Sequence, residues 1–252
     1  MNLKAYRESD LERKRTEDLI RLISYVSDEE LTALDIGARD GYFSKLLTNY
    51  FQKITALDLD KPKIHHNKIS CVQGDITGLK FNDNSFDFVF CAEVLEHIPT
   101  ELLKNACSEL TRVSSRWLLI GVPFRQDIRV GRTTCYSCGK KNPPWGHVNS
   151  FDKEKLIALF PSLILEKVSF VGEAKEATNF LSTFLMDLAG NPYGTYAQDE
   201  PCVYCDKKLQ NPPVRNVMQK VLTKIAFIVI RIQGLFASPH PNWIHVLFQK
   251  PR

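Results

Sequence analysis

The sequence predicts an α/β fold built on a mostly parallel sheet with helices on both of its faces. Short apolar runs of strand type alternate with segments of helical periodicity through the first half of the chain. This alternation implies parallel strands joined by right-handed crossover helices. With 252 residues, of which 44% are hydrophobic, the chain is long enough to bury one large core.

The predicted elements follow one another in a regular order up to Phe124. Residues 8–26 mix charges with leucine and isoleucine at near-helical spacing, which predicts an amphipathic helix before the sheet. Five strand-like runs come next: LTALDIG, KITALDLD, ISCVQGD, FDFVFCAE and RWLLIGVPF. FSKLLTNYF after the first run and PTELLKNACSELTRV after the fourth predict helices, the latter opening with proline.

Two irregular segments interrupt the second half of the chain. Residues 125–150 are rich in Gly, Pro, Cys and basic residues, and residues 190–213 again carry Gly, Pro and Cys, which is typical of loops. Between them DKEKLIALF predicts a helix and LILEKVSFVG a strand. Residues 214–236 predict a long helix, and NWIHVLFQK predicts a last strand. We expect one domain over residues 1–252, in which the two irregular segments meet as a small insertion.

The composition argues against several classes of protein. A net charge of +4 is small for a dedicated nucleic-acid binder. The N-terminal sequence lacks the apolar run of a signal peptide. The longest apolar stretch, Ile225 to Ile230, is far shorter than the roughly 18–20 residues that span a bilayer. We therefore expect a cytoplasmic protein, in which the seven cysteines are poor candidates for disulfides.

Glycine and acidic residues follow three successive predicted strands, where open α/β sheets bind ligands. Gly37 and Gly41 lie in the first turn, in a GxxxG spacing rather than the GxGxxG spacing of dinucleotide-binding proteins. Asp58 ends the second strand, where a carboxylate can accept hydrogen bonds from both hydroxyls of a ribose. Asp75 and Ile76 follow the third strand and can hold an adenine amino group and cover the adenine face.

These motifs resemble those of class I S-adenosylmethionine-dependent methyltransferases of type 11. LDIGARDG is similar to the first family motif (Asp-x-Gly-x-Gly-x-Gly), ALDLD to the second, VQGDITGLKFNDNSFDFVFCAEVLEHI to the third and fourth, and LLIGVP to the fifth. The motifs occur in the family's order between Leu34 and Val122. The resemblance implies a Rossmann-like, mostly parallel seven-stranded sheet and S-adenosyl-L-methionine as the cofactor.

The resemblance also implies contacts for the residues of the first motif. Asp35 and Gly37 are expected to contact the methionine part of the cofactor, and Gly41 belongs to the same binding turn. Arg39 stands where the family usually has its middle glycine. This departure either makes the loop less open or lets the guanidinium of Arg39 reach the carboxylate of the cofactor.

The later motifs imply contacts with the other parts of the same ligand. By the resemblance, Asp58 binds the ribose, and Asp75 with Ile76 binds the adenine. Cys91 and Glu93, after the fourth strand, are expected to line the face on which methyl transfer takes place. Each residue alone can also be a turn residue, a helix cap or a solvated acid, but together they indicate a cofactor site.

The string EVLEH places two acids and a histidine directly after the fourth strand. ExxEH is similar to a motif that holds a divalent metal in ubiquinone-pathway O-methyltransferases and in small-RNA 2′-O-methyltransferases. Glu93, Glu96 and His97 can bind Mg²⁺ and lower the pKa of a substrate hydroxyl. The alternative is that the string only shapes the turn. Glu93 and His97 are catalytic candidates on the first interpretation.

His147, in PPWGHVNSF, is a further catalytic candidate. It follows the fifth strand, in a region that in this fold can fold back over the pocket. Histidine is the commonest general base near neutral pH. The alternative is a structural histidine in a tight Gly-His turn.

Two CxxC pairs predict a structural zinc site. Four thiolates from two short turns complete the tetrahedral coordination that Zn²⁺ prefers, and the ligands are Cys135, Cys138, Cys202 and Cys205. The ion would join the two irregular segments. A redox pair is the competing interpretation, but neither pair opens a helix after a strand as in thioredoxin-like proteins.

The sequence therefore predicts methyl transfer to an oxygen or nitrogen nucleophile of an unidentified acceptor. The alternative is a zinc-containing RNA-binding protein or an RNA methyltransferase, because basic residues surround the first cysteine pair: Arg125, Arg129, Arg132, Lys140 and Lys141. These residues lack an interleaved aromatic platform, so nucleic acid is the less favoured partner.

The predicted helix at residues 214–236 indicates what kind of acceptor to expect. Lys220, Lys224 and Arg231 fall within one narrow stripe of the helix, and apolar residues cover most of the remaining surface. This pattern favours a large, partly apolar acceptor, such as a lipid-linked one, and peripheral contact with a membrane. The alternative is a helix packed on the sheet or the substrate pocket. The sequence leaves the oligomeric state open.

Overall fold

The structure is a computed structural model that describes residues 7–28, 31–175 and 178–251. The strands found there are β1 (Thr32–Ile36), β2 (Lys53–Asp58), β3 (Ile69–Gln73), β4 (Phe86–Ala92), β5 (Ser114–Pro123), β6 (Thr133–Thr134), β7 (Lys141–Asn142), β8 (Ile164–Val171) and β9 (Trp243–Gln249). The α-helices are α1 (Asp10–Val26), α2 (Tyr42–Leu47), α3 (Leu103–Val113), α4 (Lys153–Ala158), α5 (Phe180–Leu188) and α6 (Val217–Gly234).

The chain divides into two compact units. The sheet unit comprises Ser9–Phe124, Phe151–Gly172 and Pro241–Arg252, and the cysteine unit contains Arg125–Ser150 and Glu173–His240. The first segment of the cysteine unit coincides with the predicted insertion at residues 125–150. Its second segment is longer than the predicted 190–213, because the helices α5 and α6 flank the irregular stretch and belong to the same unit.

Seven strands of the sheet unit form one sheet in the order β3-β2-β1-β4-β5-β9-β8. The five strands from β3 to β5 pair in parallel, and β9 runs antiparallel to both of its neighbours. This arrangement confirms the predicted seven-stranded, mostly parallel sheet. Because β1, β2 and β3 run in the same direction, their carboxyl ends lie along one edge of the sheet.

The sheet carries an apolar core on each of its faces, because successive side chains of a strand point to opposite sides. On one face, Phe88 of β4 packs with Leu19 of α1 and Leu47 of α2. On the other face, Val89 of β4 packs with Leu110 of α3 and with Leu156 of α4. Helices therefore cover both faces, as the sequence predicts.

Helix α1 is fixed to the sheet by a buried polar contact as well as by its apolar side. Asp18 lies 2.6 Å from the Nδ1 atom of the fully buried His245 in β9, and it also accepts hydrogen bonds from Ser169 and Arg21. Burial alone raises the pKa of Asp18, but these hydrogen bonds outweigh it and lower the pKa to about 2. Burial lowers the pKa of His245, against the effect of Asp18.

The cysteine unit contains a short hairpin and two longer helices. Strands β6 and β7 pair antiparallel, and α5 packs against α6. Asn179 and Asn216 cap the N-termini of α5 and α6, since each side chain accepts a hydrogen bond from the backbone amide three residues later. The sequence predicts α6 and does not predict α5 or the hairpin. Among the residues that the structure describes, no helix combines the length and the hydropathy needed to cross a bilayer.

Candidate functional site

The turn between β1 and α2 brings two glycines and an arginine to the carboxyl edge of the sheet. Gly37 and Gly41 have φ angles of 75° and 79°, in the left-handed region that favours glycine. A Cβ atom at Gly37 would lie 2.5 Å from Val94, and one at Gly41 would lie 2.4 Å from Ile64. Both positions therefore require glycine, and the turn that they allow leads Arg39 to the surface.

Asp58, the last residue of β2, is oriented by two backbone amides. Its Oδ2 atom accepts a hydrogen bond of 2.8 Å from the amide of Arg39, and its Oδ1 atom accepts one of 2.7 Å from the amide of Leu59. Each carboxylate oxygen has a second lone pair available for another donor. A half-buried carboxylate held in this way can accept hydrogen bonds from the two adjacent hydroxyls of a ribose.

Asp35 lies in β1, beneath the glycine turn, and is almost completely buried. Burial is the largest influence on this side chain and raises the pKa of Asp35 to about 7. The hydroxyl of Ser44 donates a hydrogen bond to the Asp35 carboxylate and lowers the pKa, whereas nearby Asp58 raises it. Asp35 is thus positioned to support the turn through Ser44, and its side chain has almost no exposed surface to offer a ligand.

The end of β3 differs in part from the expectation. Asp75 is exposed, and its Oδ1 atom accepts hydrogen bonds from both the amide and the hydroxyl of Thr77. Ile76 is only 5% exposed, because it packs into the apolar core, so it has little surface to offer an adenine. Leu59, directly after Asp58, is 67% exposed instead. Leu59 is not among the predicted site residues, although an apolar residue next to the acid that ends a strand is a recognisable signal.

Cys91 and Glu93, at the end of β4, have different environments. Cys91 is fully buried in the apolar core, and burial raises the pKa of its thiol well above the usual value. The expectation that Cys91 contacts the cofactor is therefore not supported, since it has no exposed surface. Glu93 is partly exposed and has a positive φ of 58°, and its amide donates to the carbonyl oxygen of Gly121.

A buried arginine from α1 faces Glu93. The Nη1 atom of Arg15 lies 3.2 Å from Oε1 of Glu93, and Arg15 also pairs with Glu12 and stacks over the ring of Trp243. Burial nevertheless raises the pKa of Glu93. Arg15 is not among the predicted site residues, although it lies on the apolar face of α1, four residues before Leu19.

The EVLEH string forms a turn rather than a helix. Glu96 is completely buried, and its carboxylate oxygens have no hydrogen-bond partner among the described residues. Burial and the neighbouring Glu93 raise the pKa of Glu96 well above its usual value. Since Glu93 already faces the guanidinium of Arg15 and Glu96 favours its neutral form, the two carboxylates of this turn do not present the pair of free anionic ligands that the expected Mg²⁺ site would use.

His97 and Arg39 are close enough to influence each other. Burial lowers the pKa of His97 to about 4, and the positive charge of Arg39 contributes in the same direction. His97 is therefore neutral at pH 7. Arg39 is exposed, and its contact with the carboxylate of the cofactor stays a prediction.

His147 lies in the cysteine unit, directly after a short 3-10 turn. It is buried, and its Nδ1 atom lies 2.6 Å from Oε1 of Gln126. An amide oxygen can only accept a hydrogen bond, so Nδ1 of His147 carries the proton. In the neutral form of the ring the lone pair then lies on Nε2.

The four CxxC cysteines converge in the cysteine unit, where their sulfur atoms all lie within 4.8 Å of one another. The Sγ atoms of Cys135 and Cys205 are 3.7 Å apart, and those of Cys138 and Cys202 are 3.8 Å apart. A tetrahedral zinc ion with Zn–S bonds of about 2.3 Å places its sulfur ligands roughly 3.8 Å apart. The spacing therefore suits one zinc ion.

The two cysteine turns have the same local geometry. The residue after the second cysteine, Gly139 or Asp206, has a positive φ, and its amide donates to the carbonyl oxygen of the first cysteine. Burial would raise the pKa of Cys135, but the backbone amides of Cys138 and Ser137 lower it to about 6, whereas burial raises the pKa of Cys202 to about 12. A hydrogen bond from the amide of Val203 to Asn142 joins the second turn to the hairpin that carries the first.

Basic residues near the first cysteine pair have acidic partners within their own unit. Arg129 forms two hydrogen bonds with the carboxylate of Asp127, and Arg132 lies 2.7 Å from Asp187. These two arginines are therefore already paired, and no observation on the described residues supports the RNA-binding alternative.

One stretch of the sheet unit matches a known protein family. Residues 34–116 match a family model described as a methyltransferase domain. A search of curated proteins found no match to the chain.

Similar solved structures share the fold over almost the whole chain. The N-methyltransferase NodS from Bradyrhizobium japonicum WM9 is 14% identical, with a TM-score of 0.56 over 98% of this chain and 99% of its own. NodS has also been solved with S-adenosyl-L-homocysteine. A provisionally assigned methyltransferase of Bacillus halodurans C-125 has a TM-score of 0.60 and 14% identity, over 94% of this chain and 100% of its own.

A third structure with this fold, the [4+2]-cyclase SpnF, is 14% identical, with a TM-score of 0.55 over 97% of this chain and 85% of its own. At such identities the structures establish the fold alone, whereas the family match covers the strand-end motifs that carry the site. Together, the family match and the geometry of these motifs place a methyltransferase domain within this chain, at residues 34–116.

Proposed function

We propose that this methyltransferase transfers a methyl group to an oxygen or nitrogen nucleophile of an acceptor with a lipid-linked or otherwise apolar part. The observation that carries the cofactor assignment is the carboxylate of Asp58, which two backbone amides orient at the end of β2. The bound cofactor supplies an electrophilic methyl group on a sulfonium.

In this proposal, different residues of the sheet unit contact different parts of the cofactor. Asp58 accepts hydrogen bonds from the ribose hydroxyls, and the exposed side chain of Leu59 packs against the adenine. The adenine amino group donates a hydrogen bond to Asp75. The turn after β1, including Gly37 and Gly41, passes beside the methionine part above Asp35. Arg39, exposed at the same edge, pairs with the cofactor carboxylate.

A neutral hydroxyl or amine must lose a proton during methyl transfer, so the proposal includes a base. His97 is neutral at pH 7, but with a pKa of about 4 it is a weak base. His147 is the better candidate, because it is buried and its Nδ1 atom lies 2.6 Å from Oε1 of Gln126, a contact that orients the ring. We assign the base to His147.

The cysteine cluster supports a structural role for zinc in this proposal. Four thiolates would hold the ion and tie residues 135–138 to residues 202–205, across a long intervening segment. The ion would be fully coordinated by sulfur, without an open position for substrate, so it would stabilise the cysteine unit rather than take part in methyl transfer.

The acceptor class is inferred from the cysteine unit. Its helices α5 and α6 expose large apolar side chains, among them Phe180, Phe184, Ile228 and Ile232. Such a surface suits an acceptor with an apolar tail better than a small polar metabolite.

The experiment is methyl transfer from tritium-labelled S-adenosyl-L-methionine to the protein, nucleic-acid and lipid fractions of an extract of the source organism. We expect label in the lipid fraction with the wild-type enzyme and with Asp60→Ala, but not with Asp58→Ala. Asp60 is the matched control, because it is an exposed acid two residues further along. Mild alkaline hydrolysis then separates a methyl ester, which releases the label, from a methyl ether or a methylamine, which both keep it.

Two outcomes would contradict the proposal. Label in the nucleic-acid fraction alone would replace the lipid-linked acceptor with a nucleic acid. Equal labelling by the wild type and Asp58→Ala in every fraction would remove the cofactor assignment on which the proposal rests.

A further inference from the structure

Helix α6 turns its large apolar side chains outward. The apolar residues of this outer stripe, together with those that follow the helix, are exposed: Val217, Met218, Val221, Ile225, Ile228, Ile232, Leu235 and Phe236. The fully buried positions of the helix are instead Thr223 and Ala226. This is the reverse of an ordinary surface helix, whose apolar stripe faces the core.

Exposed basic residues border the outer stripe along one side. At 100° per residue, Lys220, Lys224 and Arg231 fall within about 40° of one another, next to the positions of Val217 and Ile228. All three are exposed. Helix α6 contains no acidic residue over its 18 residues, so the positive edge has no negative partner on its own helix.

Helix α5, which packs against α6, adds further apolar surface to the same unit. Phe180 is 82% exposed and stacks on Phe184, and Leu181 and Leu188 are each about half exposed. Large exposed apolar patches mark sites of interaction with proteins or membranes. The positive edge of α6 distinguishes between the two, because a lipid surface offers both an apolar layer and negative headgroups.

We propose that the outer stripe of α6 binds to an anionic lipid surface, with the helix lying in the plane of the interface. The apolar side chains of the stripe enter the boundary between headgroups and acyl chains, and Lys220, Lys224 and Arg231 contact the negative headgroups. This binding is independent of which acceptor is methylated, since it requires only the helix and the lipid.

The test is flotation of the purified full-length protein with two kinds of vesicle at low and at high salt. One kind is phosphatidylcholine alone, and the other is phosphatidylcholine mixed with phosphatidylglycerol. We expect binding to the anionic vesicles at low salt, much weaker binding to the neutral vesicles, and loss of binding as salt screens the headgroups.

Two pairs of variants separate the charge from the apolar stripe. Each lysine near an anionic surface contributes roughly fivefold to partitioning, so Lys220→Glu plus Lys224→Glu should weaken binding by more than about 25-fold. The control, Lys80→Glu plus Lys104→Glu, makes the same change in net charge at exposed positions of the sheet unit and should bind like the wild type.

Ile228→Ser and Ile164→Ser form the second pair. Ile228 is 56% exposed on α6 and Ile164 is 52% exposed at the start of β8, so both variants should fold. Only Ile228→Ser should weaken vesicle binding.

Three results would overturn the proposal. The first is a protein that stays unbound to the anionic vesicles at low salt. The second is equal loss of binding in a test variant and its control. The third is self-association that Ile228→Ser abolishes, without vesicle binding, which would show that a second copy of the chain covers the stripe.

Discussion

Loss of a single cysteine ligand should destabilise the cysteine unit. The size of the effect follows from the length of the loop that a zinc ion would close between the two cysteine pairs. Cys138 and Cys202 are 64 residues apart in sequence. A cross-link that closes a loop of this length lowers the entropy of the unfolded chain enough to contribute roughly 4 kcal/mol near room temperature. Cys202→Ser, or removal of zinc by a chelator, should therefore lower the free energy of unfolding by about this amount.

The assay is hydrogen exchange of the backbone amides in the hairpin β6–β7, combined with metal analysis. A loss of about 4 kcal/mol corresponds to a fall of roughly a thousandfold in exchange protection if the amides exchange through opening of the unit. We expect close to one zinc per chain in the wild type and none in Cys202→Ser.

Cys71→Ser is the control, because Cys71 is a half-buried cysteine of the sheet unit, outside the cluster. It should keep the metal and the protection of the hairpin. The reasoning is refuted if the metal-free protein retains the protection of the zinc-bound protein, or if the wild type binds no zinc.

Two further predictions concern Asp18 and His147. Asp18→Asn should lose about 2.5 kcal/mol of stability at neutral pH, because the pKa of Asp18 is lowered from 3.8 to about 2 in the folded protein. The ionised carboxylate stabilises the fold above pH 3.8, so the difference in stability from wild type should vanish as the pH falls through 2. Urea unfolding of both proteins across this pH range measures the difference, and Asp10→Asn on the same helix is the exposed control. A difference in stability that does not change with pH would contradict the prediction. His147→Ala should lower kcat at least about 100-fold and leave the Kd for S-adenosyl-L-homocysteine unchanged. Equal losses of turnover and cofactor affinity would show that His147 is structural.

The sheet was predictable because its parallel strands read as apolar runs separated by helical segments. The position of the last strand was not. Trp243–Gln249 reads as a strand, but its insertion between β5 and β8 as an antiparallel strand depends on contacts with Ser114–Pro123 and Ile164–Val171 that sequence spacing does not reveal. Helix α5 was missed because FLSTFLMDL is apolar on most sides, so it has no clear helical period.

The positions of Asp58 and Asp75 at the ends of strands were predictable, whereas their apolar and basic neighbours were not. Asp58 ends a strand, and its position in the chain already suggests its role. Ile76 and Cys91 were expected to contact the cofactor because they follow or end strands, but their side chains point into the core, which sequence position alone does not determine. Arg15 could have been found, since an arginine at helical spacing with Leu19 on an apolar face is expected to be buried and paired.

The convergence of the cysteines was predictable because two CxxC turns make a complete set of zinc ligands. The extent of the unit around them was not, since it depends on the packing of α5 against α6. The outward orientation of the α6 apolar stripe also required the structure, because the helical pattern alone is compatible with packing on the protein or with exposure.

The most direct measurement of the central claim is the affinity of Asp58→Ala for S-adenosyl-L-homocysteine by calorimetry, beside the wild type and Asp60→Ala. Two hydrogen bonds from ribose hydroxyls to a carboxylate contribute roughly 1.5–3 kcal/mol each, so the Kd should rise at least about 100-fold in Asp58→Ala. Asp60→Ala should bind like the wild type, since Asp60 lies beyond the end of β2 and is exposed. A Kd unchanged in Asp58→Ala, or a wild-type protein without measurable affinity, would contradict the assignment of this site to the cofactor.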